Sequence, residues 1–150
     1  GLRIAIEMER RGEALYRKAA RVSKKREVVD MLVALAADEV AHAAEFSRLY
    51  EEALARRGEH TSYGEEASAY LSAVAADIVF PGGLMALREE GFDDIRAVLD
   101  YAIVSEKDSI LFYLELARLS NDEAARNVFL SIAEQERGHM RRLCRQRAEL

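Results

Sequence analysis

Apolar residues recur at alternating steps of three and four along four stretches of this chain, the spacing of a helix face turned toward a core. The first stretch, about Leu2 to Val22, places Leu2, Ala5, Glu9, Gly12, Tyr16 and Ala19 on one stripe. The second, about Glu27 to Arg57, does the same with Val28, Leu32, Leu35, Glu39, His42, Phe46 and Leu49. The third, about Asp93 to Leu119, carries Ile95, Leu99, Ala102, Glu106, Ser109, Tyr113 and Leu116. The fourth, about Asp122 to Arg147, carries Ala125, Phe129, Ile132, Glu136, His139 and Leu143. Each stripe reads as the seam of an antiparallel bundle, so the pattern predicts an all-α, four-helix architecture.

Charge interrupts these seams at matched places. Glu9 is followed 30 residues later by Glu39, with His42 three positions on; 97 residues further along, Glu106, Glu136 and His139 repeat the same intervals. Adding 97 lays Ala5 on Ala102, Ile6 on Ile103, Tyr16 on Tyr113, Leu32 on Phe129 and Leu35 on Ile132, without a gap. Core and charged positions keep register together, which marks a repeated helical hairpin. Turns near Ser23 to Arg26 and Ser120 to Asn121 close hairpins of about 2–57 and 93–147. Between them, about 58–92, Ser62 with Glu65 reads as a capping box opening a helix through Val79. Pro81-Gly82-Gly83 ends that helix and a short helical turn spans Leu84 to Glu90. A connection of that length brings the third helix parallel to the second, so the arrangement resembles the ferritin-like bundle with one long crossover.

Composition narrows the picture. The 150 residues suit a single domain. A formal net charge of −5 argues against nucleic acid as a partner. Arg137, Arg141, Arg142, Arg145 and Arg147 read as a solvated face whose cations suit the negative end of a helix dipole. Cys144 is the single cysteine, which excludes an internal disulfide and a rubredoxin-type iron site from these residues. Asp77 and the Pro81-Gly82-Gly83 break interrupt the apolar run from Ala67 to Leu87, so no membrane span is expected. No secretory signal is legible, and the expectation is a cytoplasmic protein. His60, without a partner at ligand spacing, reads as a surface histidine.

The interrupted seams pose a chemical problem. An unpaired carboxylate inside a bundle costs several kcal/mol, and four converging carboxylates need compensation. Two divalent cations supply it, matching the charge of Glu9, Glu39, Glu106 and Glu136. Positions i and i+3 lie about 60° apart around a helix, so each E-x-x-H pair projects from one face. Glu39 and Glu136 then bridge two metals, while Glu9, His42, Glu106 and His139 terminate them. Mixed nitrogen and oxygen ligation suits Fe or Mn over Mg or Ca. Tyr16 and Tyr113 stand two turns beyond Glu9 and Glu106, placed to hydrogen-bond a ligand carboxylate across the bundle.

Several phrases resemble the rubrerythrin-like branch of the ferritin-like superfamily. They are Ile6-Glu7-Met8-Glu9-Arg10-Arg11-Gly12 ending in Tyr16, Asp38-Glu39 to His42, Ser105-Glu106-Lys107-Asp108-Ser109 ending in Tyr113, and Glu136 to His139. The resemblance implies a cofactor of two iron ions, with Mn or Zn as substitutes, a homodimer, and reaction with hydrogen peroxide or dioxygen. Two departures matter. Lacking the rubredoxin cysteines, the chain would need an external electron donor such as a rubredoxin-type protein. Ser109 stands where that branch has an additional ligand glutamate, one turn after the third-helix ligand. The symmetric six-ligand set also resembles a bacterioferritin ferroxidase centre, which keeps a ferroxidase or iron-storage reading open beside the peroxide- or dioxygen-reducing one.

Overall fold

The computed structural model describes residues 1–56 and 94–150. The expected connection over 58–92, with its capping box, its helix, the Pro81-Gly82-Gly83 break, the apolar run from Ala67 to Leu87, and His60, lies outside the described residues. Four helices are present among them: α1 Leu2–Val22, α2 Arg26–Ala55, α3 Ile95–Leu119 and α4 Glu123–Ala148. Each matches its periodic stretch to within two residues at either end. None is long and apolar enough to cross a membrane.

The helix starts are chemically marked in the second hairpin. Asp94 accepts from the Arg96 backbone N–H at 3.0 Å, and Asp122 accepts from that of Ala124 at 3.0 Å. Such N-caps are each worth about 1 kcal/mol. At the turn between α3 and α4 the Arg126 guanidinium donates to the carbonyls of Ala117 and Ser120, adding to the Ser120 N–H bond that Ala117 already accepts at the end of α3. The C-terminal arginines lie along the outer side of α4, with Arg137 paired to Glu134 at 3.1 Å and Arg147 to Asp100 at 2.6 Å.

α1 packs along α2 and α3 along α4, and the hairpins meet through α1 against α3 and α2 against α4. Contacts across the bundle fix the directions. Tyr16 reaches Glu106 while Tyr113 reaches Glu9, so α1 and α3 run antiparallel. α1 and α2 form an antiparallel hairpin, and α2 is therefore parallel to α3, as the long connection requires.

Burial is wider than the stripes read from sequence. Met8, Leu15, Met31, Ala36, Val98, Ile110, Phe112, Ala117 and Ala133 join the core, whereas Leu2, Ile95 and Ala125 stay partly exposed. A helix in a four-membered bundle faces two neighbours, so it buries an apolar sector broader than a two-position seam. The core falls into two apolar layers. One gathers Phe46, Leu49, Phe112, Tyr113, Leu116, Phe129 and Ile132, and the other gathers Leu15, Tyr16, Leu32, Leu35, Leu99, Ala102 and Leu143.

Candidate metal centre

Between these layers sits a polar one. Glu9, Glu39, His42, Glu106, Glu136 and His139 converge there, each with no more than 4% of its surface exposed. The His42 Nδ1 lies 3.0 Å from Glu136 Oε1 and 3.3 Å from Glu9 Oε2. The His139 Nδ1 lies 3.0 Å from Glu136 Oε2, 3.1 Å from Glu39 Oε1 and 3.4 Å from Glu106 Oε1. The two imidazole rings stack with centroids 5.7 Å apart.

The donors fall into two overlapping groups, each with ligand atoms within 4.8 Å of one another: Glu9, Glu39, His42 and Glu136, and Glu39, Glu106, Glu136 and His139. Glu39 and Glu136 occur in both. That overlap is the arrangement of two neighbouring cation positions sharing two carboxylates, each closed by one further glutamate and one histidine.

Each tyrosine serves the other hairpin. The Tyr113 hydroxyl donates to Glu9 Oε1 at 2.6 Å, and the Tyr16 hydroxyl donates to Glu106 Oε1. Burial first, and then the neighbouring carboxylate charge, push both phenols well above their usual range, so they stay protonated as donors.

Three contributors escaped the sequence reading. Asp38 and Gln135, the residues just before the two shared glutamates, face the outer nitrogens of the histidines: His139 Nε2 lies 3.0 Å from Asp38 Oδ2, and His42 Nε2 lies 2.9 Å from Gln135 Oε1. The signal was available, because the offset of 97 pairs these two positions. The third is Gly12. A Cβ there would stand 2.9 Å from Glu39 Oε2 and 3.2 Å from its Cδ, so the missing side chain is the space the Glu39 carboxylate occupies. Gly138 has nothing within 4 Å of the same construction. The two glycines should therefore respond oppositely. Gly138→Ala is expected to stabilise the protein by about 0.5–1 kcal/mol through helix propensity alone. In Gly12→Ala the displaced Glu39 costs roughly 1–3 kcal/mol, which weakens metal affinity about 5- to 150-fold. Urea unfolding and metal titration of both variants check this; equal metal affinity in the two would deny Gly12 its role.

Without cations, protons balance the charge. Burial and the negative charges of Glu9 and Glu136 raise Glu39 well above the carboxylate range. Burial and the charge of Glu136 lift Glu106 to about 8. Burial opposes the imidazolium forms, but the adjacent carboxylates of Glu136 and Glu9, which accept from its ring, carry His42 to about 11, and the neighbouring carboxylates of Glu106 and Glu136 carry His139 to about 10. Glu9 goes the other way: burial opposes ionisation, yet hydrogen bonds from Glu39 and His42 hold it below its usual value.

A sequence model described as rubrerythrin matches residues 97–149, which comprise almost all of α3 and α4. No curated protein matches the chain by sequence. A crystal structure at 2.30 Å resolution, described as that of a ferritin-like diiron-carboxylate protein from Thermotoga maritima, aligns with a TM-score of 0.73 and 26% identity over 99% of this chain and 92% of that one. Residues 97–149 are rubrerythrin-like in sequence, and the chain is ferritin-like in fold. The rubrerythrin-like match covers only the second hairpin, yet the first carries the same intervals and contributes half of the buried donors. Whether the donor set fits iron can be tested on the atoms themselves. Glu39 Oε1, Glu106 Oε2, Glu136 Oε2 and His139 Nδ1 are buried with no hydrogen-bond partner, although carboxylate and imidazole atoms stand 3.0–3.4 Å apart. Orphaned buried acceptors cost about 1–3 kcal/mol each. Four such atoms in one layer are what a pair of cations would satisfy, and the oxygen and imidazole donors suit iron. Cluster and fold likeness together support iron binding.

Proposed function

We propose that this chain is a di-iron oxidoreductase that reduces hydrogen peroxide or dioxygen with electrons from a separate carrier. The observation that carries the reading is the pair of overlapping donor groups sharing Glu39 and Glu136. Two iron ions bound there would supply the electron pair that cleaves an O–O bond. The chain does the rest. Glu39 and Glu136 would be shared by the two ions; Glu9 with His42, and Glu106 with His139, would complete the two donor groups. The apolar layers on either side exclude bulk water. Tyr16 and Tyr113 hold protons at their hydroxyls, hydrogen-bonded to Glu106 and Glu9. Reduction of peroxide to two waters consumes two protons, and these phenols sit within one bond of the donor set. Cys144 is the single cysteine of these 150 residues and is exposed, so they hold no rubredoxin-type iron site to relay the electrons, and the donor is a separate rubredoxin-type carrier. Val104 and Leu111, seven residues apart on α3, expose apolar surface that supports a homodimer.

Ser109 favours a second reading. It is half-buried one turn after Glu106, where the rubrerythrin-like branch has a further glutamate. The remaining symmetric six-donor set also suits a ferroxidase that oxidises ferrous iron for deposition.

Anaerobic loading with ferrous iron followed by stopped-flow mixing with hydrogen peroxide or dioxygen tests the proposal. Oxidation within about a second, at one peroxide per two irons, is the expected result. A cluster that stays reduced for minutes refutes redox turnover. Light scattering separates the two readings, because a storage ferroxidase assembles into a large hollow oligomer and the oxidoreductase needs no more than a dimer.

A further inference from the structure

The internal repeat makes the two halves of the centre alike in every donor, but not behind them. His139 presents its Nε2 to the carboxylate of Asp38 at 3.0 Å, and His42 presents its Nε2 to the amide oxygen of Gln135 at 2.9 Å. In both rings Nδ1 is the nitrogen facing the shared Glu136. A histidine that ligates through Nδ1 carries its proton on Nε2, and the acceptor of that proton sets how basic the ring is. An anionic acceptor raises it more than a neutral one, because the hydrogen bond is charge-assisted.

The surroundings differ in the same sense. Gln135 is exposed and, with Ala41, His42, Glu45, Ser131 and Ile132, lines a surface pocket of about 400 Å³ that reaches the His42 ring.

We infer that the two metal positions are inequivalent: the Glu106/His139 position, backed by Asp38, fills first and holds its ion tighter, while the Glu9/His42 position, backed by Gln135, is the exchangeable one. This rests on the reading of the cluster as a dinuclear metal centre. Asp38 and Gln135 act as positioning residues, through the histidines and without touching the ions.

The test is a titration of the full chain with Zn2+ alone, followed by 15N NMR of the histidine ring nitrogens. In the unmodified protein the first equivalent is expected to move His139 Nδ1 and the second His42 Nδ1. Asp38→Asn lowers the tighter affinity about 10- to 100-fold and merges the two steps. The double variant Asp38→Asn with Gln135→Glu keeps the total charge, exchanges the two acceptors and reverses the order. A merely structural role for either residue would not reverse it. The inference is overturned if both rings respond together to the first equivalent, if His42 responds first, or if the double variant leaves the order unchanged. Fewer than two Zn2+ per chain, or no response from either ring, would instead remove the dinuclear centre itself. Both substituted side chains are at least partly exposed, so circular dichroism is expected to show unchanged helicity.

Discussion

Glu39→Ala is expected to abolish stable loading of two metal ions while leaving the four helices folded. Glu39 contributes to both donor groups, so its removal opens both positions at once, whereas loss of Glu9 or Glu106 opens one. The metal-free protein should hardly notice. Its Glu39 is a buried carboxyl raised by burial and by the charges of Glu9 and Glu136, and its hydrogen bond to Glu9 offsets only part of that cost until a cation arrives. Deleting it relieves that crowding and leaves a small cavity, opposing effects that together change stability by no more than about 2 kcal/mol. Elemental analysis after gel filtration, with far-UV circular dichroism, reads both quantities. Glu27→Ala, on the exposed start of α2, serves as the control that keeps two ions. Two ions retained in the Glu39 variant would show that this residue is no bridge.

The second large effect is an opposite response to pH with and without metal. His42 and His139 have folded values of about 11 and about 10 against an ordinary 6.5. Their contribution to stability is complete below pH 6.5 and is lost as pH rises through 10 to 11. Glu39 and Glu106 are raised too, the latter to about 8, so the unfolded chain releases their protons above about 4.5 while the fold retains them. That stability is likewise lost as pH rises. Glu9, held low, acts in the opposite sense, with its contribution lost as pH falls below its ordinary 4.5. Between pH 6.5 and 8 all four raised groups work in one direction, and the metal-free melting temperature should fall by more than about 5 °C. Metal loading displaces those same protons, up to four per chain, so affinity climbs with pH and the loaded protein gains on the metal-free one. Thermal unfolding with a chelator and with Mn2+ across that window measures the divergence. A metal-free melting temperature that rises with pH would mean that these groups do not share one buried layer.

The same residues show where sequence reading reached its limit. The apolar period was enough for α1 to α4, because helix geometry is local: three residues onward is always one turn onward. The offset of 97 was enough for the hairpin repeat and for six charged positions on inward stripes, because each interval lies within one repeat unit. Neighbouring core positions such as Met8, Ile110 and Phe112 were missed, because how wide a sector each helix buries depends on how many helices it meets. The connection at 58–92 rests on its punctuation alone.

Periodicity and repetition thus determined the helices, their pairing into hairpins and the six charged positions that turn inward, all of which follow from spacing along one backbone. Only the tertiary structure decided that Glu9 shares a group with His42 and Glu106 with His139, that each tyrosine bonds the opposite hairpin, that Gly12 leaves room for Glu39, and that one histidine leans on Asp38 and the other on Gln135. Those pairings depend on the rotation and stagger of helices distant in sequence. The packing of the two apolar layers sets both, and no interval along the chain encodes them.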